Sequence, residues 1–278
     1  GGNVQMVLFM CIDNALQTHT IKDIPMNRSE ADLEESRTMV DNRGNCYMVI
    51  RQLTKEEGEK FDVYRISESG EFSLFTCATD KDFFNEYFID IDNKNGQLAL
   101  CSFYDDDGRK GEDAANGFLY ALYNPENGQK VLERLVPFNR TFMSELTGRD
   151  MGEKGRLYTF NIKRLVLRND GGIAVLAESF IKDTREVATM GMQPGFNTFR
   201  TASIYQYNDI IAFSISPDGV AEWTKIMRKK QVSEDDNGAY SSFMIMNQKD
   251  RLRLLYLDDI SLNGILSEFT LYSDGSTE

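Results

Sequence analysis

The sequence predicts an all-β fold built from a repeated unit of four antiparallel strands. Helical periodicity is nearly absent from the 278 residues, whereas short alternating apolar runs recur along the chain, for example at residues 46–50, 97–101 and 173–177. Runs of this length and alternation are typical of β-strands. Turns of two kinds alternate between these runs, and this alternation predicts the repeat.

The first kind of turn is rich in Asn, Asp and Gly and precedes a very apolar strand. Because these residue types tolerate the positive φ angles of tight turns, this kind predicts hairpins. It occurs at residues 41–45, 92–96, 168–172 and 247–250. The second kind follows a strand with aromatic or Ile content. It occurs at residues 66–70, 123–128, 215–219 and 271–275.

Each pair of turns delimits one four-stranded antiparallel unit, which is the sequence pattern of a propeller blade. The predicted units lie at about residues 35–78, 83–138, 156–228 and 238–278, with residues 3–24 as the last two strands of a preceding blade. We therefore expect residues 1–278 to form a single propeller-like domain of about four to five blades, or part of a larger propeller. A pair of β-sandwiches is the alternative, because the repeat is loose.

Only a few segments depart from the strand pattern. Short helices are plausible at residues 28–36 and 142–147. In the third unit, residues 182–208 form a long insertion that carries a Gly- and Pro-rich surface loop at residues 190–195. We expect the two helices to be excursions from the β framework.

Composition excludes some classes of function. The chain carries 44 acidic and 31 basic residues, for a net charge of -13, and no stripe of Lys or Arg reverses this charge locally. Such a field repels phosphate backbones and anionic lipids, so nucleic-acid partners are not expected. The apolar run at residues 7–12 is too short to cross a bilayer and lacks the basic flank of a secretion signal, so membrane insertion is not expected either.

The sequence offers little for metal or nucleophilic chemistry. Its four cysteines, at positions 11, 46, 77 and 101, lie far apart in apolar runs, which favours buried free thiols over a disulfide between adjacent strands. His19 is the single histidine and is expected on an exposed strand. No metal, no cofactor and no catalytic residue is therefore predicted.

Three acidic segments deserve comparison with cation sites. Residues 90–96 superficially resemble a calcium loop, but the glycine is one place late and Lys94 occupies a ligand position. Residues 105–108 and 234–238 are denser in carboxylates. Solvated hairpins and loops account for all three better than weak binding of a divalent cation.

Several motifs lie in the second half of the chain, at residues 162–172, 177–179, 208–211, 216–219, 222–223, 229–231 and 236–242, and together they cover roughly residues 156–260. These motifs resemble a family of uncharacterised envelope or secreted proteins of Bacteroidetes that are built from such repeats. The resemblance implies a propeller fold and a periplasmic, cell-surface or secreted location. Where such proteins often have Asn-Asp-Asn, this sequence has Leu257-Asp258-Asp259-Ile260, so no role is assigned to that corner.

A ligand-binding site is predicted on one polar face near the link between the third and fourth units. Glu178 follows an apolar strand, where a charge needs a partner such as Arg228, Lys229 or Lys230. A structural ion pair is therefore the competing explanation for Glu178. The predicted ligand-contacting residues are Glu178, Lys230, Gln231, Asp236 and Tyr240.

The function expected from these features is a non-catalytic binding or protein-interaction module with a protein or carbohydrate partner. The alternative is a hydrolase acting on a glycan, with acids such as Glu178 and Asp236 in a central channel. A purely structural role within a longer chain is a third possibility. Opposed acids in a concave pocket favour the enzyme, and scattered charges at the rim favour the module.

The first prediction concerns metal removal. Because the sequence holds no cluster of thiols or imidazoles, EDTA should leave the melting temperature of the protein unchanged. Scanning calorimetry with and without EDTA measures this. A decrease of more than about 5 °C, which for a chain of this size exceeds about 1 kcal/mol, would show that an acidic loop holds a structural cation.

Overall fold

The fold was determined from a computed structural model that describes residues 2–12, 15–34, 36–52, 60–79, 83–105, 114–150, 155–190, 197–258 and 264–278. The chain divides into two compact units. The first comprises residues 1–110 and 117–136, and the second comprises residues 111–116 and 137–278. The prediction of a single domain over the whole chain stays a prediction.

The all-β prediction is confirmed. In chain order, the first strands are β1 (Asn3–Ile12), β2 (Thr18–Ser29), β3 (Arg37–Val40), β4 (Cys46–Gln52), β5 (Lys60–Ile66), β6 (Phe72–Ala78), β7 (Phe83–Asp92), β8 (Gln97–Tyr104), β9 (Ala114–Ala115), β10 (Gly117–Tyr123) and β11 (Lys130–Pro137). They are followed by β12 (Leu157–Tyr158), β13 (Phe160–Leu167), β14 (Ile173–Met190), β15 (Asn197–Ile215), β16 (Ala221–Met227), β17 (Gln231–Glu234), β18 (Met244–Asn247), β19 (Arg251–Asp258) and β20 (Ile265–Tyr272).

Two helices interrupt the strands near the predicted positions. Helix α1 (Glu30–Glu34) lies within the first predicted segment, and α2 (Arg140–Thr147) begins slightly before the second. The side chain of Asn139 accepts a hydrogen bond from the Phe142 amide at 2.8 Å and thus caps the N-terminus of α2. Gly148 ends the helix in the left-handed region, with φ of 71°. No described helix is long and apolar enough to cross a membrane.

The first unit contains a hairpin and two four-stranded sheets. Strands β1 and β2 pair with each other, and the two sheets have the strand orders β3-β4-β5-β6 and β7-β8-β10-β11. The pairs β1–β2, β3–β4, β4–β5, β5–β6, β7–β8 and β8–β10 are antiparallel. The two sheets coincide with the predicted units at residues 35–78 and 83–138, whereas the hairpin continues to residue 29, beyond the predicted partial unit at residues 3–24.

The second unit contains sheets at the positions of the third and fourth predicted units, but the last of them has three strands in the described residues instead of the predicted four. One has the order β13-β14-β15-β16, with β17 also paired to β15, and the other has the order β18-β19-β20. After β20 the chain turns, and Glu278 exchanges backbone hydrogen bonds of 2.9 and 3.0 Å with Thr270. A short two-stranded pairing of β9 with β12 completes this unit.

The long insertion expected in the third unit consists of two paired strands over most of its length. Strands β14 and β15 have 18 and 19 residues, and their pairing continues to Met190 opposite Asn197. The cross-strand pairs of the hairpin satisfy the backbone groups of the insertion, which therefore forms a β-arm. Apart from Met190, the predicted Gly- and Pro-rich loop at residues 190–195 lies outside the described residues.

The sheet β3–β6 buries apolar side chains on both of its faces. Tyr47 and Val49 face one way and pack against the sheet β7–β11 in one cluster. Ile50 and Tyr64 belong to a second cluster with the β1–β2 hairpin. Because successive side chains of a strand point to opposite faces, the alternation along β4 divides its residues between the two clusters.

The sheet β13–β16 is covered in a similar way. On one face, Leu176 and Ile210 pack with Leu254 and Leu271 of the sheet β18–β20. On the other face, the ring of Phe213 lies 5.5 Å from that of Phe142 in α2, between ring centroids. The helix therefore covers a strand face that would otherwise be open.

The cysteines with described side chains are free thiols. Cys77 and Cys101 are buried and Cys46 is half-buried. Burial raises the pKa of the Cys77 thiol to about 12, so it stays protonated and unreactive at neutral pH. The expectation of free thiols is confirmed for these three, whereas the side chain of Cys11 lies outside the described residues.

The second prediction concerns the apolar second strands. Leu100 in β8, Val175 in β14 and Leu254 in β19 are fully buried. Changing any one of them to Ala should lower the free energy of unfolding by about 2 to 5 kcal/mol, because a cavity remains. Urea denaturation measures the loss, with the exposed Leu74 changed to Ala as the control. Near-neutral results at two of the three sites would contradict the strand assignment.

Candidate functional site

Glu178 lies in β14 opposite Asn161 of β13 and Ile210 of β15, immediately before a break in the β14–β15 register. Its side chain is completely buried. Oε1 lies 2.6 Å from Nζ of Lys229, whose side chain is completely buried as well. Oε2 accepts a hydrogen bond of 2.6 Å from the Ser242 hydroxyl. Glu178 thus forms the ion pair considered above, and Lys229 is its partner.

The ammonium group of Lys229 is surrounded by oxygen atoms. It donates to the backbone carbonyl of Tyr207 at 3.1 Å and to Oε1 of Gln231 at 2.7 Å. Burial lowers the pKa of Lys229, and the negative charge of Glu178 opposes this shift. Three polar partners therefore hold a charge that has been removed from water.

Gln231 connects this pair to the neighbouring sheet. Its Nε2 donates to the carbonyl of Leu257 in β19 at 2.7 Å, and its Oε1 also accepts from the Ser242 amide at 2.8 Å. Gln231 is 2% exposed. The network of Glu178, Lys229, Gln231 and Ser242 thus joins β14, β17 and β19 inside the second unit, and we call it the buried polar network.

Asp236 lies in a tight segment beside this network. Its carboxylate accepts from the Ser233 hydroxyl at 2.7 Å and from the Gly238 amide at 2.8 Å. Asp235 and Asn237 flank it with φ angles of 52° and 56°, in the left-handed region. The role that the structure gives to Asp236 is therefore to hold a turn whose backbone is strained.

The five predicted ligand-contacting residues do not share one surface. Glu178 and Gln231 meet in the buried polar network, Asp236 lies in the adjacent turn, and Lys230 and Tyr240 are exposed. The sequence prediction did not single out Ser242 and named Lys229 only as one possible partner. A ligand contact for any of the five stays a prediction, but the structure gives Glu178 no solvent-exposed surface from which to make one.

Carboxylates in two of the acidic segments already make hydrogen bonds or ion pairs within the protein. Asp92 accepts hydrogen bonds from the Lys94 amide at 2.9 Å and from the Asn95 side chain at 2.6 Å. Arg200 forms ion pairs with Glu234 and Asp235. In the described part of the chain no three His, Cys, Asp or Glu side chains are placed to share a metal ion. Residues 106–108, Asp259, Ile260 and the side chain of His19 lie outside the described residues.

A second candidate site, which the sequence prediction missed, is a groove of about 790 Å³ between the sheets β13–β16 and β18–β20. One wall is a cross-strand row running from strand β13 to β16, and it consists of Val166, Ala174, Ser214 and Trp223. The opposite wall is the row of Asn247, Leu252 and Leu271. Turns at residues 168–172, 247–250 and 273–275 surround the opening. We call this space the Trp223 groove.

The same place in the sheet β3–β6 is filled by large side chains. The cross-strand row there consists of Met39, Tyr47, Arg65 and Ser73. Tyr47 therefore occupies the position of Ala174, and Arg65 occupies that of Ser214. The cavity that remains at this end of the sheet is about 300 Å³. Ala174 and Ser214 thus leave room that Tyr47 and Arg65 fill in the first unit, although Trp223 is larger than Ser73 at the fourth position of the row.

Polar side chains at the rim of the Trp223 groove are held in fixed positions. Arg168 forms ion pairs with Glu222 and Asp170 and donates to the Ser214 hydroxyl at 2.6 Å. The hydrogen bond from Arg168 holds the pKa of Glu222 below its usual value. Both carboxylates are therefore ionised at neutral pH, and neither can act there as a general acid.

The indole of Trp223 is fixed by its surroundings. Its Nε1 donates to the carbonyl of Ser273 at 3.1 Å. Gly275, with φ of 82°, lies directly against the ring, since a Cβ atom there would come within 2.7 Å of Cδ2. Nearby, the Arg251 guanidinium lies 5.1 Å from the ring centroid of Tyr272. The groove therefore presents aromatic rings in a preorganised arrangement.

The sequence indicates this groove only when the strands of its sheet are aligned with the equivalent strands of the sheet β3–β6. Ala174 and Ser214 are small residues in otherwise apolar strands, and their significance follows from alignment with Tyr47 and Arg65 across the repeat. No protein-family model matches the sequence, and no curated protein matches it. The assignment therefore depends on the internal comparison of the sheets.

The third prediction concerns the buried ion pair. Glu178→Gln leaves the charge of Lys229 buried without its counter-ion, so the free energy of unfolding at pH 7 should fall by about 3 to 5 kcal/mol. The double variant Glu178→Gln/Lys229→Met should recover most of this loss, because no unpaired charge remains. Urea denaturation of both variants measures the difference. An equal loss in the double variant would show that the coupling between the two charges is negligible.

The same variants should differ in their pH dependence. Since the folded-state pKa of Lys229 lies below its usual value, the unfolded chain binds more protons between those two pKa values, and stability rises with pH in that window. Loss of Glu178 lowers the folded-state pKa further and widens the window. The penalty of Glu178→Gln should therefore shrink as the pH rises from about 7 to about 10. A loss of stability in Glu178→Gln that does not change with pH would show that the loss comes from packing and not from the unpaired charge.

Proposed function

We propose that this chain is a propeller-like, non-catalytic binding module that takes up its ligand in the Trp223 groove. The observation that carries the proposal is the replacement of Tyr47 and Arg65 by Ala174 and Ser214 at equivalent places in two sheets. A repeated scaffold provides the groove, and local loss of side-chain volume opens it. Rigid sheets with variable turns are a common way to hold a binding site.

A propeller-like arrangement is supported by the way the sheets are covered. In a sandwich each sheet buries one face, whereas the sheet β3–β6 buries both. The β1–β2 hairpin exposes a stripe of Met6, Leu8 and Met10 on the face opposite its own cluster. Further sheets that cover such faces would make an array of about four to five blades, or part of a larger one.

The hydrolase alternative receives less support. Such an enzyme needs an acid and a second carboxylate facing the scissile bond. Glu178 is completely buried against Lys229, and Asp236 accepts hydrogen bonds from its own turn. At the groove, Asp170 pairs with Arg168 and likewise accepts from the Gly172 amide. These carboxylates therefore hold the structure in place.

A periplasmic, cell-surface or secreted location is part of the proposal. It rests on the resemblance to envelope and secreted proteins of Bacteroidetes in residues 156–260. Fractionation of cells that express the full-length gene product, followed by detection with an antibody, tests the location directly.

The fourth prediction tests binding in the groove. Pools of soluble oligosaccharides and of peptides are added to the wild type and to Ala174→Tyr, and the melting temperature is measured. A ligand that binds only the folded state raises the melting temperature. At least one pool should do so for the wild type and not for Ala174→Tyr, in which the tyrosine fills the groove as Tyr47 does in the sheet β3–β6.

The controls separate binding from catalysis and from misfolding. Ala174→Tyr without ligand should melt as a single cooperative transition. The active pool should be recovered unchanged by mass spectrometry after long incubation with the wild type. Stabilisation of both proteins alike, or of neither by any pool, would refute the Trp223 groove as the binding site, and product formation would support the hydrolase.

A further inference from the structure

We propose that the ligand of the Trp223 groove is a neutral oligosaccharide. This inference rests on the proposed function and adds the chemical class of the ligand. Three properties of the groove support it: a fixed aromatic wall, a near balance of charge at the rim, and side-chain amides that make no hydrogen bond to other described residues.

The aromatic wall suits the C–H face of a sugar ring. Trp223 is held by the Ser273 carbonyl and by contact with Gly275, so its indole does not need to be ordered upon binding. The face of an aromatic ring carries a partial negative charge and attracts the polarised C–H groups of a pyranose. Val166, Leu252 and Leu271 continue the apolar surface beside it.

The charges at the rim are nearly balanced, in contrast to the net charge of -13 on the chain as a whole. Three basic side chains, Arg168, Lys249 and Arg251, line the groove together with three acidic ones, Asp170, Asp250 and Asp274, and Glu222 pairs with Arg168 beside them. Arg168 pairs with Asp170, and Arg251 pairs with Asp250. A rim of paired charges disfavours a polyanion or a polycation and offers both donors and acceptors to hydroxyl groups.

Uncommitted amides provide neutral hydrogen-bonding groups. The side chains of Asn169, Asn247 and Gln248 line the groove, and none bonds to another residue in the described part of the chain. An amide group offers two donors and an acceptor. Adjacent hydroxyls of a sugar match such groups, and the groove volume of about 790 Å³ is within the usual range for ligand sites.

The experiment uses Trp223 as its own probe, because it is the single tryptophan in the chain. Under selective tryptophan excitation, the wild type is titrated with neutral gluco-, xylo- and manno-oligosaccharides, with an oligogalacturonate as the anionic comparison and with a peptide pool. We expect a saturable change in emission with at least one neutral oligosaccharide and a much weaker one with the oligogalacturonate.

Calorimetric titrations of variants locate the binding. Trp223→Ala and Ala174→Tyr should each weaken the affinity by about tenfold or more, equivalent to about 1.4 kcal/mol. Tyr158→Ala removes an exposed aromatic ring outside the groove and should leave the affinity unchanged. Loss of sugar binding in Tyr240→Ala alone would place the site at the exposed link between the third and fourth units and overturn the inference.

The remaining outcomes separate the two proposals. If only the peptide pool or the oligogalacturonate binds and Ala174→Tyr abolishes this binding, the inference of a neutral oligosaccharide fails while the binding module stands. If no probe binds in a way that depends on Ala174 and Trp223, both proposals fail. Binding of a neutral oligosaccharide that depends on both residues supports them together.

Discussion

The architecture depends on the burial of both faces of the apolar strands. In β4, Tyr47 and Val49 lie in one apolar cluster and Ile50 lies in another. A four-stranded sheet with two apolar faces cannot be stable in water with only one of them covered. Within the first unit the β1–β2 hairpin and the sheet β7–β11 provide the two covers. Stacked sheets with short hairpin turns at their ends are the direct consequence.

The buried polar network adds a different kind of constraint. An ion pair removed from water gains little net stability, because the desolvation of two charges offsets their attraction. Glu178 and Lys229 are nevertheless joined to Tyr207, Gln231 and Ser242 by hydrogen bonds from several segments. Each of these groups would be left unpaired by a change of register. We infer that the network fixes the alignment of three segments within the second unit: β14, β19 and the link between β16 and β17.

Repetition also explains how a site can arise without new architecture. The hairpin turn at residues 41–45 and the turn at residues 168–172 have matching backbone hydrogen bonds, yet Asp41 in the first is replaced by Arg168 in the second. Asp41 bonds to the hydroxyl of Tyr47, which fills the space beneath the turn. Arg168 instead reaches Ser214 and leaves the space open. The two turns thus share a backbone pattern, and a few differences in side chains distinguish the filled core of one sheet from the groove of the other.

The sequence by itself determined the strand content, the hairpin turns and the limits of the sheets. These features depend on local pattern: alternation in β4, the Asn- and Gly-rich turn before β8, and the Asn139 cap before α2. The β-arm formed by β14 and β15 escaped prediction, because its strands pair over a length that no local turn signal defines. An ion pair of Glu178 was one of the two explanations that the sequence offered. Which of Arg228, Lys229 and Lys230 is the partner depends on the direction in which each side chain points after β16, and the structure shows that it is Lys229.

Only the tertiary structure decided where the candidate site lies. Polar residues near the link between the third and fourth units suggested a face around Glu178, Lys230 and Tyr240, whereas the structure buries the first and leaves the other two apart from it on the surface. The Trp223 groove depends on cross-strand register, which brings Ala174 beside Ser214 and Trp223 although they are far apart in the chain. The space left by small side chains in a cross-strand row cannot be recognised from any one stretch of sequence, because it depends on which residues lie beside and opposite them in the folded sheets.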